Sequence, residues 1–244
     1  MGKFKDVIKS NIIKTIYFNF KMLPLRQAIR LPVVFYGRVS FRSLKGKVSI
    51  KGGVSTGMIK VGIKDQYVDS SVPESIWAIH GLLTFTGALK MARGSYILVA
   101  KNAELTLGTN NSFYGSNLKI LCFQKISIGN CARIAWDCQL YDSSFHYLEL
   151  LNHNNEIKPL PKPVIIGDRV WIGNRSTVSK GSVIPNDTIV ASSSLVNKDF
   201  SSLEPYSMIA GAPAVFKAAG LKRVWGGAEQ TALDKKFGYS RHKL

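Results

Sequence analysis

The sequence is poor in cysteine and in acidic residues, and it has no long apolar run. Its three cysteines, Cys122, Cys131 and Cys138, include no C-x-x-C pair, which argues against a disulfide framework or a zinc site and predicts buried free thiols in a reducing compartment. No stretch is long enough to cross a bilayer, and no cationic segment is followed by an apolar run and a small-residue cleavage site. These absences predict a cytoplasmic protein, with or without peripheral contact to the inner face of the cytoplasmic membrane.

The shortage of acidic residues is confined to the two ends of the chain. The 244 residues carry 33 Lys and Arg against 15 Asp and Glu, a formal charge of +18. Residues 1–51 hold 12 basic residues and one acid, residues 217–244 hold seven and two, and residues 52–216 hold 14 and 12. No nucleic-acid recognition motif accompanies this charge, so an anionic membrane surface or a phosphate-bearing ligand is the better match.

One segment carries an aliphatic residue at every sixth position. Six residues keep this spacing: Ile166, Ile172, Val178, Ile184, Val190 and Val196. Small or β-branched residues follow four places after the first five, at Val170, Ser176, Ser182, Thr188 and Ser194. A period of six fits neither an α-helix nor an alternating strand. It is typical of a parallel β-helix, in which each hexad supplies one short strand and one corner.

The repeat divides the chain into three segments. Coils of the β-helix are expected over residues 45–200, with an outward bulge within residues 60–82. Residues 141–165 interrupt the phase and contain three prolines, which cannot continue a strand ladder. A long loop thrown out of a regular scaffold is usually functional. Residues 1–44 are expected to form a basic helical segment, and residues 201–244 a short helix over the last coil and a basic tail.

Residues 2–23 are predicted to form a helix that ends near Pro24. Its apolar side chains recur at helical spacing, at Ile8, Ile12, Ile16 and Phe20. Two interpretations stay open: the helix packs on the body or on a neighbouring subunit, or it lies at a membrane interface.

Three segments together resemble the left-handed β-helix (hexapeptide-repeat) acyltransferases, especially the branch that acetylates sugars, antibiotics and surface polysaccharides. In chain order they are IGNCARIAWDCQLYDSSFH, VIIGDRVWIGNRSTVSKGSVIPNDTIVASSSLVNKD and SMIAGAPA, all within residues 100–218. The resemblance implies an all-β fold: a left-handed parallel β-helix with an excluded active-site loop, an N-terminal helix and a short C-terminal helix. It also implies a homotrimer with active sites between neighbouring subunits, and acetyl-CoA as donor with no metal ion.

The catalytic residues are expected in and near the excluded loop. Attack of a sugar hydroxyl on a thioester needs a general base, and His146 stands where the family carries its catalytic histidine; His153 in the same loop competes for this role. Asp142 is favoured for orienting the imidazole, with Glu149 or a main-chain carbonyl as alternatives. The resemblance assigns the oxyanion donor to the main-chain N–H of Asn174.

The donor groove implied by the resemblance follows the corners of the coil. The residues expected along it are Trp171, Gly173, Ala191, Ser192, Ser193, Asn197 and Lys198. Relatives commonly place Arg or Lys directly after the small residue of Gly-x-Pro-Ala, where this chain has Val215. Contact with the 3′-phosphate of CoA is therefore expected from Lys217, Lys222 or Arg223.

The acceptor side is expected around the coil that precedes the histidine loop. The candidates are Asn117 for contact with a hydroxyl, Tyr114 in the same segment, and Trp136 and Tyr141, whose rings could stack on a sugar.

The predicted function is acetyl transfer to a hydroxyl of a bacterial surface-polysaccharide sugar or of its lipid-linked precursor. Two alternatives remain: acetylation of a small diffusible acceptor such as an antibiotic or a free sugar, and a non-catalytic structural β-helix. A zinc carbonic anhydrase of this shape would need three convergent histidines at a spacing that the sequence does not show.

Overall fold

The structure, a computed structural model, describes residues 10–65, 74–110, 112–152, 155–224 and 226–239. Its main body is a parallel β-helix. The chain passes in turn through three sheets that run along the body, so neighbouring strands of one sheet come from successive coils.

The three sheets form the three sides of the body. The first contains, in spatial order, β1 (Val33–Phe35), β4 (Ile59–Ile63), β7 (Leu89–Ala92), β10 (Ser112–Tyr114), β13 (Arg133–Ile134), β18 (Trp171–Ile172), β21 (Ile189–Val190), β23 (Met208–Ala210) and β24 (Val215–Ala218). The second contains β2 (Val39–Leu44), β5 (Ser75–Ile79), β8 (Tyr96–Val99), β11 (Lys119–Cys122), β14 (Gln139–Tyr141), β19 (Thr177–Val178) and β22 (Leu195–Val196). The third contains β3 (Lys47–Ile50), β6 (Leu82–Phe85), β9 (Glu104–Leu107), β12 (Lys125–Ile128), β17 (Val164–Ile166) and β20 (Val183–Ile184).

The aliphatic residues of the hexads form the core, as the repeat predicts. All six residues of the run from Ile166 to Val196 are at most 2% exposed. The small residues four places later are buried as well, because they fill the corners between strands. In the first sheet the inward column is continuous along paired strands: Met91, Tyr114, Ile134, Ile172, Val190 and Ile209.

Corner glycines let successive coils stack closely. A Cβ atom added at Gly108 would lie 1.8 Å from the carbonyl oxygen of Gly129 in the next coil, so the backbone of one coil would have to move. At Gly53, by contrast, no described atom lies within 4 Å of such a Cβ.

We expect Gly108→Ala to lower the free energy of unfolding by about 1–3 kcal/mol or more, the usual cost of overpacking. Gly53→Ala is the matched control and should change it by less than about 0.5 kcal/mol, because the site is open. Urea unfolding followed by circular dichroism measures both. Equal midpoints for the two variants would contradict the close stacking of the corners.

The N-terminal end of the β-helix is closed by a helix. Helix α1 (Ile12–Met22) is capped by the Asn11 side chain, which accepts a hydrogen bond from the Lys14 N–H at 3.2 Å. No described strand pairs with the outer edge of β1, and two polar side chains of the helix hydrogen-bond its main chain instead. The Asn19 amide accepts from Val33 N and donates to Val33 O, and the Thr15 hydroxyl accepts from Phe35 N.

Within the described residues the predicted helix begins at Ile12, and the coils start earlier than predicted. Residues 2–9 of the predicted helix lie outside the described residues, and Ser10 and Asn11 precede the first turn. A short helix, α2 (Leu25–Ala28), follows Pro24. The first coil begins at Val33 rather than near residue 45. Strand β1 is buried at all three of its positions.

The bulge predicted for residues 60–82 is largely part of the coil. Strands β4 and β5 join the first and second sheets, so only the connection between them remains, of which residues 66–73 lie outside the described ranges.

At the C-terminal end, β24 runs antiparallel to β23 and covers its edge. The predicted C-terminal helix is present as α3 (Gly227–Lys236), but a strand rather than this helix covers the edge. No helix within the described ranges combines the length and the apolar character needed to cross a bilayer.

The three thiols are free, and two of them are buried. Burial, together with the negative charge of Asp142, raises the pKa of the Cys122 thiol to about 12, and burial raises that of Cys138 to about 11. Cys131 is only half-buried, and its Sγ contacts the carbonyl oxygen of Asn110 at 2.9 Å.

Candidate active site

The loop predicted from the interrupted repeat leaves the coil after Tyr141 and rejoins it at Val164. Its outer part is an antiparallel hairpin, β15 (Leu148–Leu150) paired with β16 (Glu156–Lys158). At its base, Ser143 and Pro161 form an isolated antiparallel bridge. The loop therefore has a defined shape and a paired stem.

Lys180, one coil further on, holds the two arms of this stem together. Its ammonium donates to Ser144 Oγ at 3.0 Å on the outgoing arm, and to Pro159 O at 3.1 Å and Leu160 O at 3.2 Å on the returning arm. The Ser144 hydroxyl in turn donates to the carbonyl oxygen of His146 at 3.1 Å. The backbone of His146 is thus fixed through two side chains that the sequence did not single out. In the sequence, Ser144 is marked only by its place in the loop, and Lys180 only by its place before the corner at Gly181.

The imidazole of His146 is exposed on the outgoing arm. Beside it three aromatic rings pack together: Phe145 lies 5.5 Å from Phe123 and 5.7 Å from Tyr141, measured between ring centroids. None of the residues that the structure describes hydrogen-bonds the imidazole. His153, the competing histidine, lies outside the described residues. A solvent-accessible imidazole on a fixed backbone is suited to taking a proton from a bound hydroxyl.

Asp142 makes no hydrogen bond or ion pair with His146 and has a different set of partners. Its carboxylate is fully buried and accepts three main-chain N–H bonds of 2.7–2.8 Å from Phe123, Gln124 and Lys125. These amides form the turn between the second and third sheets in the preceding coil. The prediction that Asp142 orients the imidazole is therefore not supported by the geometry, because both carboxylate oxygens are occupied by this turn.

A cleft of about 430 Å³ lies along a different edge of the body, between the first and second sheets. Predicted site residues that line it are Trp136, Trp171, Gly173, Asn174, Ser192 and Arg223. The structure thus brings together the predicted oxyanion donor, one predicted acceptor residue and four residues of the predicted donor groove.

The corner at Gly173 has the geometry of a main-chain donor site. A Cβ at Gly173 would lie 2.5 Å from Ser192 N, so only glycine lets the two coils approach here. The side-chain Oδ1 of Asn174 accepts a hydrogen bond from the Ser192 hydroxyl at 2.7 Å, and the main-chain carbonyl oxygen of Asn174 accepts one from Ser193 N at 2.9 Å. The N–H of Asn174 donates to no acceptor among the described residues. It is therefore available for a ligand in the cleft.

The C-terminal segment covers one side of this cleft. The Arg223 guanidinium lies 4.9 Å from the ring centroid of Trp171, and Gln230 and Leu233 of α3 line the same space. The cleft is also lined by Asp65 and Arg133, together with Phe113, Ile134, Ala135 and Val224. Desolvation by burial lowers the pKa of Arg133. The sequence did not predict these additional lining residues, because no motif marks them.

Three of the four predicted acceptor residues lie elsewhere. Tyr114 is fully buried in the inward column, its hydroxyl donates to Gly108 O at 3.1 Å, and burial raises its pKa; its prediction as a substrate contact is therefore wrong. The sequence hid this because the corner before β10 has one extra residue, which shifts the inward position from Phe113 to Tyr114. Asn117 donates to Asp137 Oδ1 at 3.0 Å, and its buried Oδ1 has no partner within the described ranges. Tyr141 belongs to the ring cluster beside His146.

The remaining donor-groove residues do not line the cleft within one chain. Ala191 and Ser193 flank Ser192 at the same corner, whereas Asn197 and Lys198 lie at the edge between the second and third sheets. Lys198 and the Phe200 ring are 5.1 Å apart. The Lys217 and Lys222 side chains are exposed, the former on β24. Within the described ranges no three His, Cys, Asp or Glu side chains come together as metal ligands.

No family model matches the chain. Among curated proteins it is 28% identical over 212 residues to an uncharacterised 24.8 kDa protein in the cps region of Klebsiella pneumoniae, covering 86% of this chain and 89% of that one. It is 29% identical over 112 residues to galactoside O-acetyltransferase of Escherichia coli K12, covering 46% of this chain and about half (52%) of that enzyme. The chain is a hexapeptide-repeat protein with a parallel β-helix fold.

Solved structures similar to this hexapeptide-repeat protein include several acyltransferases. AntD, an N-acyltransferase from Bacillus cereus in complex with dTDP and 3-hydroxybutyryl-CoA, has a TM-score of 0.43 at 17% identity, over 84% of this chain and 86% of that one. A maltose O-acetyltransferase from Clostridium difficile has a TM-score of 0.37 at 17% identity, over 89% of both chains. The predicted all-β fold class, a parallel β-helix with an excluded loop and a helix at each end, is confirmed.

In a single chain the two halves of the predicted site lie on different edges. The loop with His146 leaves β14 of the second sheet and returns to β17 of the third. Asn174 lies between β18 of the first sheet and β19 of the second. One chain therefore carries His146 on one edge and the available N–H of Asn174 on the next.

Proposed function

We propose that the protein is an acetyl-CoA-dependent O-acetyltransferase that works as a homotrimer. The observation that carries this proposal is the separation of His146 and Asn174 onto two edges of one three-sided body. A cyclic arrangement of three copies can set the His146 edge of each copy against the Asn174 edge of the next, giving three equivalent sites.

The proposed reaction uses each half of the site for one task. The acceptor hydroxyl oxygen attacks the thioester carbonyl carbon while the His146 imidazole takes the hydroxyl proton. The carbonyl oxygen becomes an oxyanion that accepts a hydrogen bond from the Asn174 N–H of the adjoining subunit. The carbon–sulfur bond then breaks, the acetyl ester is released, and the CoA thiolate takes the proton from the imidazolium. No metal is needed, because the proton and the negative charge each have a partner.

The cleft supports acetyl-CoA as the donor. Its volume is within the range of small-molecule sites, and its apolar wall at Trp171 and Trp136 leads to the corner at Gly173. We propose that the pantetheine arm lies along Gly173, Ser192 and the flanking corner residues. Arg223 is placed to meet a CoA phosphate, because it lies beside Trp171 at the cleft.

The acceptor is proposed to be a surface-polysaccharide sugar or its lipid-linked precursor. This rests on the similarity to a protein of a cps region, which suggests a polysaccharide context. The partial similarity to galactoside O-acetyltransferase favours a second candidate, a small free sugar. Both candidates share the chemistry of a sugar hydroxyl and differ in what else the acceptor carries.

A CoA-release assay against a panel of acceptors distinguishes these candidates. Nucleotide sugars, lipid-linked oligosaccharides, free galactosides and aminoglycosides are each incubated with acetyl-CoA and the protein. We expect release of CoA with lipid-linked or polymeric sugars, at least tenfold above hydrolysis without acceptor. Activity confined to free galactosides would support the small-sugar candidate. Activity confined to antibiotics would overturn the acceptor proposal.

Mixing two inactive variants tests whether neighbouring copies share a site. We expect both His146→Ala and Ser192→Trp to be inactive, the first for lack of a base and the second because the indole fills the cleft. Co-expressed in equal amounts, they should regain roughly a quarter of the wild-type kcat, because one in four neighbour pairs combines an intact base with an intact cleft. No recovery in mixed oligomers of confirmed composition would place both halves in one chain.

A further inference from the structure

The N-terminal helices expose seven large apolar side chains that the β-helix does not bury. We call this set the N-terminal apolar face; it consists of Ile12, Ile13, Ile16, Tyr17, Phe20, Leu25 and Ile29. Each of these side chains is 41–76% exposed, although all are large and apolar. On α1 the five side chains span about 140° of the helix circumference at 3.6 residues per turn. A clustered apolar face of this kind marks a contact with a partner.

The orientation of this face is fixed by the buried side of α1. Phe18 is fully buried among aromatic rings, 5.0 Å from Phe35 and 5.7 Å from Trp77 between centroids. Asn19 and Thr15 hydrogen-bond the edge of β1. The helix cannot turn its exposed side inward without breaking these contacts, so the apolar face points to solvent or to a partner.

The charge around the face has one sign. Lys14 and Lys21 follow the apolar arc on the circumference of α1, and Arg26 and Arg30 lie beside Leu25 and Ile29 on and after α2. No Asp or Glu occurs between residues 10 and 64 of the sequence, which hold 11 Lys and Arg. A symmetric contact between two copies of this face would set cations against cations with no acid to compensate. An anionic partner has complementary charge instead.

We propose that the N-terminal apolar face docks on an anionic lipid bilayer. Its apolar side chains enter the boundary between head groups and acyl chains, and the flanking Lys and Arg meet lipid phosphates. This arrangement differs from a spanning helix, because α1 has 11 residues and lies along the end of the β-helix. Docking is independent of acetyl transfer. It would bring the active site to lipid-linked acceptors if the proposed function is correct.

Vesicle flotation with the full chain tests the proposal. We expect the protein to float with vesicles of 70% phosphatidylcholine and 30% phosphatidylglycerol at least tenfold more than with pure phosphatidylcholine, and 0.5 M salt should reduce this binding because it screens the cations. The triple variant Ile13→Glu, Ile16→Glu, Phe20→Glu should lose binding at least tenfold. The matched control, Val215→Glu with Phe216→Glu and Leu221→Glu, changes exposed apolar residues near the other end and should bind as the wild type does.

Three results would overturn the proposal. One is absence of binding to anionic vesicles, and another is equal binding by the triple variant and the wild type. The third combines two observations: the wild type does not float, and the triple variant no longer forms the wild-type oligomer in sedimentation equilibrium. The N-terminal apolar face would then be an interface between copies. The readout uses no acetyl-CoA, so its failure is distinct from failure of the proposed enzyme activity.

Discussion

Replacing His146 with alanine is expected to lower kcat for acetyl transfer by about 10²–10⁴-fold, the usual contribution of a general base. The free energy of unfolding should change by less than about 0.5 kcal/mol, because the imidazole is exposed and makes no hydrogen bond to any described residue. The effect should fall on kcat more than on KM for acetyl-CoA, since we propose that the thioester binds along the cleft on the other edge.

His80→Ala is the matched control for this variant. His80 is also exposed and lies on the same edge of the body, between the second and third sheets, but in an earlier coil, where its Nδ1 contacts Ser43 Oγ at 3.3 Å. Its removal should leave kcat within a factor of two. A His146→Ala enzyme with unchanged turnover would remove the general base from the proposed mechanism, and His153 would then be the next residue to replace.

Asp142→Ala is expected to lower the free energy of unfolding by about 3–5 kcal/mol. The substitution leaves the N–H groups of Phe123, Gln124 and Lys125 without their acceptor at a part-buried turn. Asp142→Asn should also destabilise, by about 1–3 kcal/mol, because an amide keeps one acceptor oxygen and its NH₂ group cannot accept the bonding that the second carboxylate oxygen now provides to the turn. Urea unfolding of each variant measures the change.

Glu149→Ala serves as the control on the same loop, since its side chain is exposed on β15 and should contribute less than about 0.5 kcal/mol. The two roles considered for Asp142 give different results. If Asp142 is the acceptor of the turn, both Asp142→Ala and Asp142→Asn lower the free energy of unfolding. If Asp142 instead oriented the imidazole, Asp142→Asn would keep its unfolding midpoint and lose kcat, which would contradict the geometry described above.

The fold could be predicted from the sequence because every coil repeats the same requirement. Inward positions such as Ile172 and Val190 must be aliphatic, and a corner such as Gly108 must lack a side chain, so the pattern recurs at a fixed period. The interruption of that period located the loop with His146. Where coils deviate, the pattern fails: the first coil at Val33 is buried at consecutive positions, and one extra corner residue turned Tyr114 inward.

The site was predicted less completely than the fold, because several of its interactions join residues that are distant in sequence. The bonds from Lys180 to Ser144 and Leu160 span 36 and 20 positions, and the partners of Asp142 lie 17–19 positions before it. Nor does any local pattern bring Asp65, Arg133 and Arg223 to one cleft. A carboxylate four residues before a histidine looks like a catalytic pair, and only the fold shows that it closes a turn.

The most direct test of the account is acetyl transfer itself. The oligomeric protein is incubated with acetyl-CoA labelled in the acetyl group and with lipid-linked or polymeric sugar acceptors, and the product is then treated with mild alkali. We expect one equivalent of CoA per acetyl group transferred, and mild alkali should release the label from the sugar because the product is an ester. Label that resists mild alkali would indicate an amide and contradict O-acetylation. Absence of transfer to any hydroxyl by a folded oligomer would contradict the proposed function as a whole.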